Sequence, residues 1–299
     1  MARLILSTNN ITLENLPTGR KSNSELSESE LSKALRYKLR ETQDNFSYLK
    51  YFDEKAEGTQ TQPQVSSLAL EYLSGYYIPK VDVSASPLSE ERSQYEITVK
   101  IFYLSRADMK NKEYANDAVK FVMRKLDIEY IDLLIVSFSR GLSDGEFEKE
   151  EDFSEEDIEE NIATWTTLSH LKERGVVRKL GVADFNTSKL NKFLKRVRVS
   201  PKVNQLNVKN CCNVAPSLLE LAKLEEIELL THRDSRSILP NFLLSEILKL
   251  DLPSHSDQSS DDVENVLSSK WVVKYSAVIR DRGVIEYKGY FAAIELLKS

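Results

Sequence analysis

The sequence has little of what marks several common protein classes. Its two cysteines, Cys211 and Cys212, stand side by side, so no disulfide framework is available and a reducing compartment is expected. Nine glycines are too few and too scattered for a phosphate-cradling glycine-rich loop. The histidines His170, His232 and His255 show no metal-ligand spacing, so no metal is expected. A basic excess is absent: 41 Lys and Arg face 47 Asp and Glu, for a net charge of -6, which gives nucleic-acid binding no bulk support. No apolar run approaches the roughly 18–20 residues needed to cross a membrane. The opening MARLILSTNNITLENL carries one Arg and a very short apolar run, too little for a secretory signal. The expected location is therefore the cytoplasm, with the nucleus as the alternative, and neither nucleic acid nor membrane is an expected partner.

What is present is ordinary for a globular protein. The 299 residues are 41% hydrophobic and 29% charged, enough for one domain of barrel size spanning residues 1–299. The most informative stretch runs from Gly175 to Cys212. Val176, Val177, Leu180 and Val182 mark a strand that ends in the turn Ala183-Asp184-Phe185. Asn186, Thr187 or Ser188 can cap the helix that follows, whose face is Leu190, Phe193, Leu194 and Val197. Pro201 stops the helix, and Val203, Leu206 and Val208 begin a second strand. Strand, helix and strand make a βαβ unit, which requires a parallel sheet and further units beside it.

The rest of the chain alternates in the same way. Leu4, Leu6 and Ile11 around Ser7-Thr8-Asn9-Asn10 predict a short N-terminal hairpin. Ser27 and Glu30 have the spacing of a capping box before the helical repeat Leu31, Leu35, Leu39. Leu68, Leu70, Tyr72 and Leu73 predict another helix. Ile97, Val99 and Ile101 alternate as a strand, and Ala115 to Leu126 form a helical stripe. Ile131–Val136 is a nearly continuous apolar run, as in a strand buried on both faces. An acidic segment, 144–160, leads into a helix carried by Ile158, Ile162, Trp165, Leu168 and Leu171, with Ser154 and Asp157 as its capping box. That segment is either a solvated loop or a docking patch for a basic partner. Pro216 opens a helix, and 227–231 reads as a buried strand. Residues 251–262, rich in Ser and Asp, predict an exposed, mobile loop. Trp271, Val272, Tyr275, Val278 and Ile279 predict a last helix ended by Gly283, and Phe291–Leu296 a final strand or helix. The whole is an α/β pattern.

Three segments, YIDLLIV (130–136), ERGVVRKLGVADFN (173–186) and PKVNQL (201–206), resemble consecutive barrel strands of the aldo-keto reductases in order and spacing. The resemblance implies a (β/α)8 barrel of that type, modified at its N-terminal and C-terminal ends, with its working face at the C-terminal ends of the strands. A nearer resemblance exists within that superfamily. LSTNN, ITVKIF, NQLNVKNCC followed by LLTHRD, and KWVVKYSAVIRDRGVIEYKGY are similar to the regulatory (modifier) subunits of glutamate–cysteine ligase. That resemblance implies a non-catalytic subunit of a heterodimer in glutathione biosynthesis. It would bind the ligase's catalytic subunit, improve its use of glutamate and relieve feedback inhibition by glutathione. The alternative is an active or vestigial NADPH-dependent aldo-keto reductase.

Reductases of that superfamily use a Tyr proton donor tuned by a Lys, with an Asp behind the Lys and a His beside the substrate. By resemblance the Lys falls on Lys100, and the His position is Ser137. The Asp–Tyr motif is reduced to Phe52-Asp53, with Gly58 where the Tyr would stand. On the cofactor side, Gln205 matches a Gln that holds the nicotinamide amide, while its usual Ser-Asn companions are Ala183 and Asp184. Lys288 lies near the position that meets the adenosine 2′-phosphate, without the Arg that usually follows it. The resemblance therefore implies no catalytic residues and no bound cofactor, only the residual Lys100, Gln205 and Lys288. Lys100 reads either as a paired structural charge or as a surviving catalytic residue. His232 follows a barrel strand and reads as a hydrogen-bonded structural histidine or as part of the barrel mouth. Cys211 and Cys212 are either buried thiols or a redox-sensitive contact with the partner.

Overall fold

The computed structural model describes residues 2–13, 29–41, 75–78, 88–105, 108, 112–138, 155–207, 214–235, 238–239, 244 and 267–296. Contacts divide the chain into two compact units. The larger comprises 83–238 and 270–289, and the smaller comprises 1–82, 239–269 and 290–299.

The larger unit carries the βα repeat. Strands β3 (Tyr95–Tyr103), β4 (Ile131–Ser137), β5 (Val177–Ala183), β6 (Val203–Asn207) and β7 (Glu228–His232) are adjacent in chain order, and each neighbouring pair is parallel. Between them run α2 (Lys112–Leu126), α3 (Glu155–Glu173), α4 (Thr187–Leu194) and α5 (Pro216–Leu224). This is the strand–helix alternation of a (β/α)8 barrel, modified at its chain ends. There β8 (Leu267–Ile279) pairs antiparallel with β3 over the full length from Tyr95↔Ile279 to Tyr103↔Trp271, and the turn 280–283 returns the chain into β9 (Val284–Leu296).

Local chemistry explains the repeat. α4 starts where the Asn186 side chain accepts the Lys189 N–H at 2.8 Å, so Asn186 is the cap among the three candidates. Gly175 closes α3 in the left-handed region at φ 76°, with its N–H on the Lys172 carbonyl. Pro216 occupies the first turn of α5. The helices lie on the sheet through an aromatic cluster: Trp165 of α3 meets Phe193 of α4 edge-on at 5.3 Å, and Phe193 meets Phe185 at 5.3 Å. Trp165, Phe185 and Phe193 are buried, and each such side chain contributes about 1.5–3 kcal/mol relative to exposure. On the other side of the strands, Leu133, Ile135, Ala183 and Val203 pack together with Leu230.

In the smaller unit β1 (Ala2–Ser7) pairs in parallel with β2 (Gly75–Ile78) and antiparallel with β9, from Ala2↔Leu296 to Ser7↔Phe291. Helix α1 (Glu30–Glu41) buries Leu31, Ala34 and Leu35.

Several sequence expectations need correction. The N-terminal hairpin does not form: β1 finds its partners far along the chain, and Ile11–Leu13 is a 3-10 turn. The first turn of α1 is held by Ser29, whose Oγ accepts the Ser32 N–H at 3.1 Å. Trp271–Ile279 is strand, not helix. Its Val, Ile and aromatic content favours strand, and Val273, Tyr275, Ala277 and Ile279 are buried in alternation, which a nine-residue ladder with β3 requires. Phe291–Leu296 resolves as strand within β9. β7 is half-buried rather than buried, because the described strand order ends there. The proposed helix around Leu68–Leu73, the cap residues Ser27 and Ser154, and the loop 251–262 lie outside the described residues.

Gly181 of β5 offers a direct check of the parallel core. A Cβ there would come within 2.9 Å of the Val203 Cβ and 3.1 Å of its carbonyl oxygen. Gly181→Ala is expected to lower stability by about 1–3 kcal/mol, read as a lower urea midpoint at unchanged slope. An unchanged midpoint would show that β5 and β6 are not so closely apposed.

Candidate functional site

At the C-terminal side of the parallel strands in the larger unit, charged side chains from β3, β5, β7 and β8 converge. Lys100 of β3 and Lys274 of β8 stand directly opposite each other in the antiparallel ladder. Two like charges facing across a ladder repel, and one carboxylate lies between them. Asp234, just beyond β7, accepts the Lys100 Nζ on Oδ2 at 2.8 Å and the Lys274 Nζ on Oδ1 at 2.7 Å. The side chains of Lys100 and Asp234 are only 4% and 5% exposed, while that of Lys274 is 25% exposed. Lys100 also donates to Gln205 Oε1 at 2.9 Å and sits 5.0 Å from the centre of the Phe102 ring.

A second arm fixes Asp234. His232 Nε2 lies 3.1 Å and 3.2 Å from the two Asp184 oxygens, and Nδ1 lies 3.2 Å from Asp234 Oδ2. As a neutral ring, His232 donates from Nε2 to Asp184 and accepts the Asp234 backbone N–H on Nδ1, also at 3.2 Å. As an imidazolium, it donates to both carboxylates. Asp184 is placed for this by a backbone turn at φ 57°, a region that Asp tolerates better than most residues. Its N–H donates to the Gln205 carbonyl and its Oδ1 accepts the Asn207 N–H, which ties the end of β5 to β6. Burial would lower the His232 pKa, but hydrogen bonds to Asp184 and Asp234 outweigh it and raise the pKa above its ordinary value. Burial would raise the Asp234 pKa, but His232, Lys100 and Lys274 hold it well below the usual carboxylate range.

The structure thus brings together Lys100, Gln205, Asp184 and His232 from the sequence-derived candidates. It does not add the others. Ser137 ends β4 half-buried, opposite Phe102. Lys288, half-buried on β9, bonds to none of Lys100, Gln205 and Asp234. His170 lies exposed on α3 beside a cavity of about 340 Å³ lined also by Arg196 and Arg198. Phe52, Asp53, Gly58, Cys211, Cys212 and His255 lie outside the described residues. Sequence reasoning missed Asp234 and Lys274. Asp234 closes the quoted LLTHRD segment two residues after His232, so its place past a strand end was readable. Lys274 was hidden by assigning its segment to a helix.

Among the described residues, no tyrosine hydroxyl or imidazole bonds to Lys100, and no group of three metal-binding side chains occurs. The cluster can hold and relay a proton between His232 and its two carboxylates. Its ammonium groups are directed at an internal carboxylate.

The family model described as the aldo/keto reductase family matches residues 28–284. The chain belongs to the aldo/keto reductase family. Within the curated relatives of this family member, a Schizosaccharomyces pombe protein described as a glutamate–cysteine ligase regulatory subunit is 28% identical over 224 residues, covering 70% of this chain and 75% of its own. The human glutamate–cysteine ligase regulatory subunit is 25% identical over 201 residues, 67% of this chain and 66% of its own length. Human aldo-keto reductase family 1 member C4 is 27% identical over 139 residues, 44% of this chain and 43% of its own. The chain is therefore homologous to regulatory subunits of that ligase as well as to aldo-keto reductases. No helix among the described residues is long and apolar enough to cross a membrane.

Two measurements follow from the cluster. Asp234→Asn leaves two facing ammonium groups without their carboxylate, and a loss of about 3–5 kcal/mol is expected in denaturant melts. Adding Lys100→Met should recover much of that loss, and failure to recover any would show that the pair is not coupled. The pH dependence follows from the raised His232 pKa. Its contribution is complete below about pH 6.5 and is lost as pH rises through the elevated folded-state value. The depressed Asp234 pKa acts in the other direction, contributing fully above about pH 4 and failing as pH falls below that. The melting-temperature advantage of the native chain over His232→Gln is therefore expected to shrink from pH 6 towards pH 9. A constant difference would contradict the two-carboxylate clamp.

Proposed function

We propose that this chain is a non-catalytic regulatory subunit of glutamate–cysteine ligase, acting in glutathione biosynthesis through a heterodimer with the catalytic subunit. The observation that carries this reading is the homology to proteins of that description across 67–70% of the chain. The site is compatible with it: among the described residues Lys100 donates to Asp234 and Gln205, and no tyrosine hydroxyl that it could tune bonds to it. On the resemblance noted from the sequence, binding improves the catalytic subunit's use of glutamate and relieves inhibition by glutathione. Such coupling is thermodynamic. The chain must bind the active conformation more tightly than the inhibited one, by about 1–3 kcal/mol. The proposed location is the cytoplasm, with the nucleus as the alternative. Cys211 and Cys212 are proposed as the redox-responsive contact.

A second reading, an NADPH-dependent reductase, is favoured by one feature: Lys100 retains a carboxylate and a carboxamide beside it. One set of assays separates the two. Mixed with the catalytic subunit of the same organism, the chain is expected to form a complex, lower the KM for glutamate and weaken glutathione inhibition. Alone, it is expected to turn over no test aldehyde with NADPH. Cys211→Ser with Cys212→Ser is expected to leave association under reducing conditions intact and to remove its response to oxidants. Neither a complex nor a kinetic change would sink the regulatory reading. NADPH-dependent turnover lost in Lys100→Met would establish the second.

A further inference from the structure

At the N-terminal side of the same parallel strands, three arginines gather on one aspartate. Asp132, near the start of β4, is buried. Its Oδ2 accepts the Ile97 N–H at 2.8 Å and Arg92 Nη2 at 2.6 Å. Its Oδ1 accepts Arg280 Nη2 at 2.9 Å and Arg178 Nη1 at 3.4 Å. One carboxylate therefore serves three guanidinium groups, and no other carboxylate among the described residues bonds to any of them.

The three arginines are not equally committed. Arg92 is spent on structure: its nitrogens also donate to the carbonyls of Tyr95 and Tyr130, and its side chain is 16% exposed. Arg280 gives Nε to the Tyr95 carbonyl and one Nη2 bond to Asp132, and is 41% exposed. Arg178 is 56% exposed, and its single bond to Asp132 is long. What positions it is the Tyr130 ring, whose centre lies 3.8 Å from its guanidinium carbon. A guanidinium carries five N–H donors in a planar fork, so most of those on Arg178 and the outer ones on Arg280 face solvent already oriented. Both arginines reach the same Asp132 oxygen, so one small ion can touch both.

We propose that Arg178 and Arg280, presented by Tyr130 and Asp132, form a binding site for a small free oxyanion of the phosphate class. The fork matches a tetrahedral oxyanion bidentately, and donors fixed before binding lose little freedom when the ion arrives. Within this bonded set, three guanidinium groups share one carboxylate, so a dianion has more to gain from them than a monocarboxylate. The site lies at the other end of the strands from Lys100 and is independent of the regulatory reading.

The test is thermal melting and calorimetric titration of the full chain with inorganic phosphate, ionic strength held constant with sodium chloride. Saturable stabilisation by phosphate is expected, with none from acetate. Arg178→Gln removes a bidentate pair of charge-assisted hydrogen bonds and should weaken phosphate binding by about tenfold or more, and Arg178→Gln with Arg280→Gln should abolish it. Arg178→Gln leaves the Arg92–Asp132 bond in place, so its phosphate-free melting temperature should stay near that of the native chain. Should it fall, Arg178→Lys, which keeps the charge and loses the fork, is expected to bind more weakly than the native chain. Arg196→Gln, in the basic cavity beside α3, should bind phosphate normally. The proposal is overturned by an absence of saturable stabilisation, by equal stabilisation with acetate, by unchanged affinity in the Arg178 variants, or by a loss that follows Arg196 instead.

Discussion

The bond that the described βα unit depends on most is the one from Asp234 to two lysines. Lys100 and Lys274 are brought opposite each other by the ladder between β3 and β8, with Lys100 only 4% exposed. A single carboxylate, delivered from beyond β7, bridges them. An unpaired ammonium at such depth costs several kcal/mol. The position of the segment after β7 is therefore not free. It must bring Asp234 back over β3, and His232 and Asn207 hold it there through the Asp234 side chain, backbone N–H and backbone carbonyl. Asp184 completes the ring by tying the end of β5 to His232 and to β6.

Some parts of the fold were legible from the sequence and others were not. The β5–α4–β6 unit was, because each boundary has a local cause: Gly175 with positive φ, the Asn186 cap, and a proline after the helix. The long apolar run of β4 was, because burial on both faces leaves no alternative. The strand β8 was not. Trp271, Val272, Tyr275, Val278 and Ile279 fit helical spacing, and only the ladder with β3 decides for alternation. β1 failed for a related reason, since its partners β2 and β9 are not its sequence neighbours. Of the site, Lys100 and Gln205 were visible as residues. Their relation through Asp234 was not, because a contact spanning 134 positions leaves no local pattern.

The two ends of the parallel strands use charge differently. At the C-terminal side, Lys100 and Lys274 are matched by Asp234 and Asp184, with His232 between the carboxylates. Groups that satisfy one another gain less from a ligand, since binding must first break an internal bond. The cluster thus fixes the ends of β5 and β7 against β3 and β8.

At the N-terminal side the balance is reversed, with Arg92, Arg178 and Arg280 on Asp132 alone. A buried carboxylate in that position needs only enough positive charge to offset its desolvation, and Arg92 with the Ile97 N–H supplies a close bond of each kind. Arg178 adds little to that: its bond is the longest of the four, and its guanidinium is half in water. Exposed ion pairs of this geometry contribute roughly 0–1 kcal/mol. Stability therefore accounts for Arg92 and leaves the second and third arginines with spare, oriented donors. In a fold whose working face is at the opposite strand ends, the capacity to receive an anion in this chain has its clearest physical basis where three arginines share one carboxylate.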